Sequence, residues 1–303
     1  MKKILVATGG GDCPGLNAVI RGLVKAARTD GGEYEIWGSI EAFNGILKDP
    51  PDIVPLNNND VRGIHVQGGT IIKTTNRGNP LSFPVQKSDG TWEEIDRSDE
   101  LVSKINAQGF DAVVSIGGDG SQKISLALAE KGIKIIGVPK TIDNDLNATD
   151  LTFGFTTAVQ IATDSFDKLV TTANSHNRVM IMEVMGRDAG WIALHTAIAG
   201  GAEICLIPEI PYELDKVREK INSRYEKGKG YVNIVVAEGC KMKDGSAVGT
   251  VAKDAGDEHI KLGGFANLLR HQLEKTDCQY QVRTTVLGHT QRGGTPIAFD
   301  RIL

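Results

Sequence analysis

Short apolar runs bounded by glycine or polar residues recur along the chain, and their recurrence constrains the fold more than any other feature. Each run has the length of a buried strand, and the runs lie at 3–8, 34–39, 110–118, 133–140, 178–186, 203–209, 231–239 and 282–288. Stretches with amphipathic helical spacing lie between many of them, at 17–27, 121–131, 157–172, 192–199, 214–226 and 265–274. Strands that alternate with helices form βαβ units, so the sequence predicts an α/β fold with mostly parallel sheets.

The length of the chain predicts more than one lobe. Its 303 residues exceed the usual size of a single hydrophobic core. The helix predicted at 157–172 could carry the chain from one sheet to the other, which places an approximate boundary near residue 150. The longest irregular region, 57–97, is rich in Gly, Asn, Pro and Ser, and it predicts loops over a site.

Composition excludes several classes of protein. A formal net charge of −4 argues against a nucleic-acid partner, since such a domain would carry a basic face. The four cysteines, Cys13, Cys205, Cys240 and Cys278, are scattered without paired spacing, which predicts neither a zinc site nor a disulfide framework. The first apolar run is too short for a signal peptide, and no window approaches the roughly 20 apolar residues of a membrane span. We therefore expect no membrane partner and a cytoplasmic location.

The first candidate motif is the glycine-rich turn TGGGDCPGLNAVIRG, from Thr8 to Gly22, between a strand and a helix. Backbone N–H groups in such a turn can converge on a phosphate. It is not a dinucleotide fingerprint, because Pro14 stands where the last glycine of that pattern belongs. The alternative is a tight turn whose glycines supply positive φ angles.

A second glycine turn, SIGGDGSQ, again joins a strand to a helix. Its three glycines let the backbone approach a phosphate, Ser121 can donate from the helix start, and Asp119 is the acid expected near Mg²⁺. The alternative is that Asp119 only caps the helix.

The segment VPKTIDNDL, Val138 to Leu146, follows the next predicted strand. An Asx turn is the default interpretation of its Asp-Asn-Asp sequence. However, the carboxyl ends of parallel strands share one edge, so Asp143 and Asp145 should face the same crevice as Asp119. Carboxylates in such a crevice suit a metal-bound polyphosphate and a hydroxyl nucleophile.

Two further strand ends carry cations. In EVMGRDAGWIAL, Arg187 stands at the entrance to a helix, where an arginine can hold a transferring phosphoryl group. In VLGHTQRGGTPIAFDR, His289 and Arg292 are close enough to share a small anion. With Arg283 before them and Glu238 after another strand, they predict a sugar-phosphate pocket. A surface arginine and a structural histidine are the alternatives.

In this order, the five motifs resemble the 6-phosphofructokinase family, whose members transfer phosphate from ATP or pyrophosphate to the 1-hydroxyl group of fructose 6-phosphate. The resemblance runs from Lys3 to the last residue, and other GGDG kinases lack the TIDND, MGR and HxQRGG motifs. It implies a glycolytic phosphotransferase with two Rossmann-like α/β/α lobes and the active site in the cleft between them. Residues 1–150 would bind the donor and Mg²⁺, and residues 151–303 would bind fructose 6-phosphate.

The resemblance also implies a role for each matching residue. Asp143 matches the catalytic base and Asp145 assists it, while Thr141 and Arg187 match residues that hold the moving phosphoryl group. The donor side would comprise Gly11, Arg77, Gly118, Asp119, Gly120, Ser121 and Lys140, with Asp119 as the Mg²⁺ ligand. The sugar side would comprise Thr141, Asp143, Met185, Gly186, Arg187, Glu238, His289 and Arg292.

Arg178 and Arg283 match arginines that reach the sugar phosphate from the neighbouring subunit. The resemblance therefore implies a homo-oligomer, a dimer or tetramer, with shared active sites. Allosteric control is also a family property, and Arg21, Lys25 and Lys229 could serve an effector site, although Val170 stands where an arginine is usual. The chain ends at FDRIL, whereas family members commonly continue, so we expect a fragment or a truncated protein with apolar surface exposed.

The donor depends on two positions. Pyrophosphate-dependent members typically have Asp at the position of Gly120, where its bulk obstructs the α-phosphate of a nucleotide, and Lys at the position of Lys140. Here Gly120 leaves room for ATP while Lys140 is the pyrophosphate-type residue, and the steric effect favours ATP. The alternatives are a pyrophosphate-dependent enzyme, a GGDG kinase with another acceptor, and a non-catalytic sugar-phosphate sensor.

Overall fold

The computed structural model describes residues 1–29, 33–243, 264–276 and 279–303. The strands in these residues are β1 (Lys2–Thr8), β2 (Tyr34–Ser39), β3 (Ile53–Leu56), β4 (Phe83–Gln86), β5 (Trp92–Ile95), β6 (Ala112–Gly117), β7 (Ile135–Thr141), β8 (Phe153–Gly154), β9 (Val179–Val184), β10 (Ile204–Leu206), β11 (Val232–Ala237) and β12 (Val282–Val286). The α-helices are α1 (Leu16–Thr29), α2 (Asn44–Leu47), α3 (Ser98–Ala107), α4 (Asp119–Glu130), α5 (Phe155–His176), α6 (Trp191–Gly200), α7 (Leu214–Glu226), α8 (Phe265–Lys275) and α9 (Ala298–Ile302). Short 3₁₀ helices span Ile64–Val66 and Gly288–Arg292.

The first sheet has the strand order β3-β2-β1-β6-β7-β8. All its neighbours pair in parallel except β3, which runs antiparallel to β2 at the edge. Leu5, Val6 and Ala7 of β1 are almost fully buried, as expected of a central strand with helices on both faces. The α/β prediction with mostly parallel strands is confirmed in this part of the chain.

The second sheet has the order β10-β11-β9-β12, and all its pairs are parallel. Every residue of β9 and β11 is buried, and their side chains join one continuous apolar core with α5, α6 and α8. Because its strands are parallel, their carboxyl ends lie along one edge, as in the first sheet.

Helix α5 connects the two sheets, and its start is held from the far end of the chain. The buried Asp300 of α9 accepts hydrogen bonds from the Thr157 backbone N–H (2.7 Å) and from the Thr156 and Thr157 hydroxyl groups (2.9 and 2.5 Å). These donors belong to the first turn of a helix, where a carboxylate is favourable. The helix begins just after Gly154, whose φ of +97° and close approach to Cys13 both require glycine. Asp300 therefore fixes α9 against the beginning of α5.

The predicted helices are all present, with ends that differ by a few residues. Helix α7 has the predicted bounds, whereas α5 is longer than 157–172 at both ends. The polar region 57–97 is not made only of loops, because β4 and β5 form an antiparallel hairpin there. Most side chains of this hairpin are exposed, so its sequence lacks the alternation of apolar and polar residues that would predict strands. Helices α2 and α3 and strand β3 also had no counterpart in the sequence prediction.

The remaining expectations concern lobes, cysteines and membranes. The division near residue 150 stays a prediction; α9, although late in the chain, packs against α1 and β8. Cys13, Cys205 and Cys240 are free thiols, and Cys278 lies outside the described residues. Within the described part of the chain, no helix is long and apolar enough to cross a membrane.

Candidate active site

The candidate motifs follow the carboxyl ends of strands in both sheets. In the first sheet, β1 leads into the glycine turn, β6 into Asp119, and β7 into Asp143; in the second, β9 leads into Arg187, β11 into Glu238, and β12 into His289. Parallel strands bring the ends within each sheet to one edge. The contacts described next show that the two edges meet.

The backbone of the glycine turn after β1 accepts a hydrogen bond from a basic side chain of each sheet. Lys140, at the end of β7, is buried and donates from Nζ to the carbonyl oxygen of Gly11. Arg292 follows β12 and donates from Nη1 to the Asp12 carbonyl oxygen at 3.3 Å. A Cβ atom at Gly11 would lie only 2.6 Å from that Nη1, so glycine permits the approach. The predicted donor turn and the predicted sugar-phosphate arginine are thus in contact.

The glycine turn after β6 lies beside the first one. Ser121, in the first turn of α4, packs so closely on Gly9 that a Cβ there would lie 2.6 Å from the Ser121 Oγ. Asp119 is the first residue of α4, is exposed, and forms an ion pair with Lys123 at 2.7 Å. Gly118 and Gly120 flank Asp119. The Asp119 carboxylate is therefore exposed to solvent, next to backbone N–H groups that can bind phosphate oxygens.

The loop after β7 is a fixed turn with one carboxylate directed into the protein. Asn144 has a φ of +51°, and its Oδ1 accepts the Thr152 backbone N–H at 2.9 Å. The Asp143 backbone N–H donates to Thr141 Oγ1 at 3.1 Å. Asp143 is half-buried, and its buried Oδ1 has no hydrogen-bond partner among the described residues. Asn144 stabilises the turn, whereas the Oδ1 atom of Asp143 makes no hydrogen bond that stabilises the loop.

The environment of Asp143 makes it a stronger base than an ordinary carboxylate. Burial and the negative charge of Asp145 raise the pKa of Asp143 to about 6, while the positive charges of Arg292 and Arg187 act in the opposite direction. Loss of water disfavours the ionised form, and nearby cations favour it. These electrostatic effects also place both arginines near the carboxyl group.

Glu238, after β11, belongs to the same cluster. Burial and the charges of Asp143 and Glu183 raise its pKa to about 7, while Arg292 and a backbone hydrogen bond from Gly186 partly offset the rise. Glu183 is itself occupied, because its carboxylate accepts the backbone N–H groups of Gly264 (3.0 Å) and Ala266 (2.7 Å) at the start of α8. Of these two carboxylates, Glu238 is therefore the one that remains for a ligand.

Arg187 lies in the loop between β9 and α6, four positions before the helix starts, so the sequence placed it slightly too close to the helix. The adjacent residue, Asp188, forms an ion pair with the Arg187 Nε at 2.7 Å, and its charge raises the pKa of Asp143. The sequence prediction did not include Asp188. An acid directly after the candidate arginine was the available signal.

Other predicted residues lie farther from this cluster. Arg178 precedes β9 and donates to Gln281 at 2.5 Å, and Arg283 is near the start of β12. Along their strands, Arg178 lies about 20 Å from the carboxyl end of β9, and Arg283 lies about 10 Å from the carboxyl end of β12. Met185 is buried, and His289 is exposed in the 3₁₀ helix that follows β12.

The loop that contains Arg77 is tied to the glycine turn. The Thr74 hydroxyl donates to the Gly10 carbonyl oxygen at 2.6 Å, and the Gly10 N–H donates to the Thr75 carbonyl oxygen at 3.0 Å. Arg77 follows two residues later and is exposed. The loop that carries Arg77 thus lies beside the glycine turn after β1.

A metal would have few protein ligands here. Among the described residues, no three His, Cys, Asp or Glu side chains form a group that could hold a metal ion. Asp119 is a single exposed carboxylate at the start of α4. Such a site suits Mg²⁺, which usually binds one or two carboxylates together with phosphate oxygens and water.

Comparisons with known proteins give a consistent result. The profile of the family described as "Phosphofructokinase" matches residues 3–303. The chain is 48% identical over 303 residues to "ATP-dependent 6-phosphofructokinase 2" of Clostridium perfringens, covering 100% of this chain and 82% of that protein. It is also 48% identical over 302 residues to "ATP-dependent 6-phosphofructokinase" of Chloroflexus aurantiacus, covering 100% of this chain and 81% of that protein.

A solved structure supports the same fold. The crystal structure of Pichia pastoris phosphofructokinase in the T-state superposes with a TM-score of 0.81 at 29% identity. The match covers 99% of this chain and 31% of the yeast chain, so this chain spans about a third of that protein.

Proposed function

This chain belongs to the phosphofructokinase family, and we propose that it transfers the terminal phosphoryl group of ATP to the 1-hydroxyl group of fructose 6-phosphate, with Asp143 as the general base. The activity follows from relatives named ATP-dependent 6-phosphofructokinase that match the whole chain. The observation that supports the role of Asp143 is its buried, unpartnered Oδ1 among charges from both sheets.

Asp143 has the properties that proton transfer requires. With a pKa raised to about 6, it is mostly ionised at neutral pH and yet more basic than an exposed aspartate. The unpartnered Oδ1 can accept the proton of the sugar hydroxyl as the oxygen attacks the phosphoryl group. The Thr141 hydroxyl holds the Asp143 backbone at 3.1 Å, which limits the positions that the carboxylate can take.

Cations and backbone dipoles stabilise the charge that develops during transfer. Arg187 lies near Asp143 and would contact the phosphoryl group during its transfer. The glycine turns after β1 and β6 would hold the remaining phosphates of the donor. Asp119 would hold Mg²⁺, which neutralises charge on the phosphate oxygens when it is bound. Ser121 beside Gly9 adds a hydroxyl donor to the same surface.

The sugar phosphate would occupy the edge of the second sheet. Glu238 can accept hydrogen bonds from sugar hydroxyl groups, and Arg292 and His289 can bind the 6-phosphate. We place fructose 6-phosphate against residues 151–303 and the donor against residues 1–150. Arg178 and Arg283 lie toward the amino ends of their own strands, which supports the proposal that they bind the sugar phosphate of a second subunit. A homo-oligomer with shared sites, in the cytoplasm where these substrates occur, is therefore part of the proposal.

Lys140 is the feature that keeps pyrophosphate as a second candidate donor. It is buried, burial lowers its pKa, and its Nζ already binds the Gly11 carbonyl oxygen. A lysine so placed can contact a small phosphate donor in the glycine turn. Gly120, however, has no side chain that could obstruct the α-phosphate of a nucleotide, and the relatives with 48% identity are named ATP-dependent 6-phosphofructokinases.

A coupled assay tests both donors. Purified protein with fructose 6-phosphate and Mg²⁺ should produce fructose 1,6-bisphosphate with ATP and much less with pyrophosphate. Turnover with pyrophosphate alone would reverse the choice of donor. Turnover with sedoheptulose 7-phosphate or NAD instead of fructose 6-phosphate would replace the acceptor, and sugar binding without turnover would favour a sensor. The Asp143→Asn variant is the control for contaminating kinase.

A further inference from the structure

Gln122 is a polar residue on the donor side of the site, and the proposed function leaves it without a role. It completes the first turn of α4 and is half-buried. Its Nε2 donates one hydrogen bond to the Gly117 carbonyl oxygen at 3.0 Å and another to the Val138 carbonyl oxygen at 3.1 Å. Both distances are those of ordinary amide hydrogen bonds, so one side chain joins α4 to the strands β6 and β7.

The two carbonyl groups lie where β6 and β7 separate. Gly117 belongs to the last register pair of these two strands. Beyond it, the chain turns through Gly118 into α4, whereas β7 continues to Thr141 and leads into Asp143. Gln122 therefore bonds both strands at the point from which the two candidate loops diverge.

The hydrogen bonds from Gln122 also fix the start of α4. The residue before the helix is Gly118, which has no side chain with which to cap it. Glycine restricts the backbone least, so the direction of α4 relative to β6 depends on contacts that the helix itself makes. Asp119 belongs to the same helical turn as Gln122. The position of its carboxylate therefore depends on where the Gln122 amide is held.

Gly137 of β7 shows that the amide is closely fitted. A Cβ atom on Gly137 would overlap the Gln122 Oε1, and the three atoms nearest to that Cβ all belong to the Gln122 amide. Gly137 is not among the glycines with a positive φ, so its own backbone does not require glycine. A side chain at this position would therefore disturb the Gln122 amide before anything else.

We propose that Gln122 is a positioning residue, whose amide holds the first turn of α4 against the end of β7 so that Asp119 and Asp143 keep the separation that phosphoryl transfer requires. The proposal rests on the proposed function, in which Asp119 holds Mg²⁺ and Asp143 is the base. Glu238 and Arg292, which would bind the sugar phosphate, follow strands of the second sheet. The loss of Gln122 should therefore affect the rate of transfer more than the binding of the sugar phosphate.

The first test removes the amide. Gln122→Ala and Gln122→Met are compared with the wild type in the coupled assay with ATP and fructose 6-phosphate, since methionine has a similar length but no N–H group. Both variants should lower kcat about tenfold and change the KM for fructose 6-phosphate less than about twofold. Leu128→Ala, which removes a buried side chain from the same helix, is the control. It should lower the urea midpoint of unfolding and leave kcat within about twofold.

The second test reaches the amide from β7. Gly137→Ala should displace the Gln122 side chain and lower kcat about as much as Gln122→Ala does. In the Gln122→Ala background the obstructing atoms are absent, so the addition of Gly137→Ala should change kcat by less than about a further twofold. A positioning role predicts this non-additivity, whereas two independent effects would add.

Other results separate this inference from the proposed function. If Asp119→Asn and Asp143→Asn are impaired but the two Gln122 variants have wild-type kcat, only the positioning role is wrong. The positioning role is also wrong if Gln122→Met alone keeps wild-type kcat, if Gly137→Ala slows the Gln122→Ala variant further, or if Leu128→Ala is equally slow. If Asp119→Asn and Asp143→Asn both keep wild-type activity, the proposed roles of these two residues are wrong, and the role of Gln122 fails with them.

Discussion

The loops after β6 and β7 leave neighbouring strands of one sheet, and each carries an aspartate, yet the two aspartates have opposite surroundings. Asp119 is 67% exposed and paired with Lys123 at the start of a helix. Asp143 is half-buried with an unpartnered oxygen, and burial and Asp145 raise its pKa to about 6. The same side chain is thus suited to a hydrated cation in one loop and to a proton in the other.

The difference arises from how each loop closes. After β6, the helix begins at once, so Asp119 is directed outward in the first turn. After β7, Asn144 in a left-handed conformation bonds to Thr152 and folds the loop back, which leaves Asp143 against the second sheet. Environment, and not residue type, therefore separates a predicted metal ligand from a predicted base.

The largest expected effect comes from removing the base. Asp143→Asn keeps the shape of the side chain but cannot accept the proton, so kcat should fall by about a hundredfold or more with little change in KM. Steady-state kinetics in the coupled assay measures both constants. If kcat were unchanged, Asp143 would not be the base, and the proposed difference in function between Asp119 and Asp143 would be wrong.

A different kind of loss is expected at Asp119. Asp119→Asn removes an ionic oxygen ligand, so the Mg²⁺ concentration needed for half-maximal rate should rise at least about tenfold. A Mg²⁺ titration at fixed ATP measures this change, and the same titration of Asp143→Asn is the control. If Asp119→Asn were slow at every Mg²⁺ concentration, Asp119 would have a role in the reaction other than Mg²⁺ binding, and the proposed roles of the two loops would be wrong.

A smaller effect concerns the acidic limb of the pH profile. The wild-type kcat/KM should fall as the pH drops through about 6, because Asp143 must be ionised. The charge of Asp145 raises that pKa, so Asp145→Asn should lower it and move the limb to lower pH. Asp150→Asn, an exposed carboxylate farther along the same loop, is the matched control. A limb that moves to higher pH would contradict the electrostatic account.

The smallest effect is expected from breaking the exposed ion pair. Lys123→Ala should change the free energy of unfolding by less than about 1 kcal/mol, because exposed pairs contribute little. It should also lower the Mg²⁺ requirement slightly, since one competing cation is removed. Urea denaturation and the Mg²⁺ titration provide the two measurements. Lys131→Ala, which breaks the pair of Lys131 with Asp99, should match the first result and not the second.

Much of the fold could be predicted because its signals are local. The spacing of apolar residues indicated the buried strands and the amphipathic helices, and it predicted α7 with the bounds that the structure has. The β4–β5 hairpin was not, because Val85 and Trp92 are exposed and the strands bury no face that a pattern could reveal. Helix α3 has only two fully buried apolar positions, Leu101 and Ile105, among polar and charged neighbours, which is a weak periodic signal.

The candidate site could be predicted only as a set of residue types. Strand ends in parallel sheets indicated where Asp119, Asp143 and Arg187 would lie. The sequence could not give the burial of Asp143, which depends on packing between loops distant in sequence. It also could not show that Arg292 reaches the Asp12 carbonyl oxygen 280 positions away. The assigned roles of these residues stay predictions until the variants are measured.

Helix α5 has a mechanical consequence. It is a continuous rod of 22 residues, about 33 Å long, anchored at its first turn by Asp300. Its far end passes through Asn177 directly into Arg178. Because buried residues occur along the whole length of α5, and most of them belong to the same core as β9 and β11, the helix sets a fixed distance between Asp300 at its first turn and Arg178 beyond its last. The two sheets are therefore held at a defined separation by one continuous element.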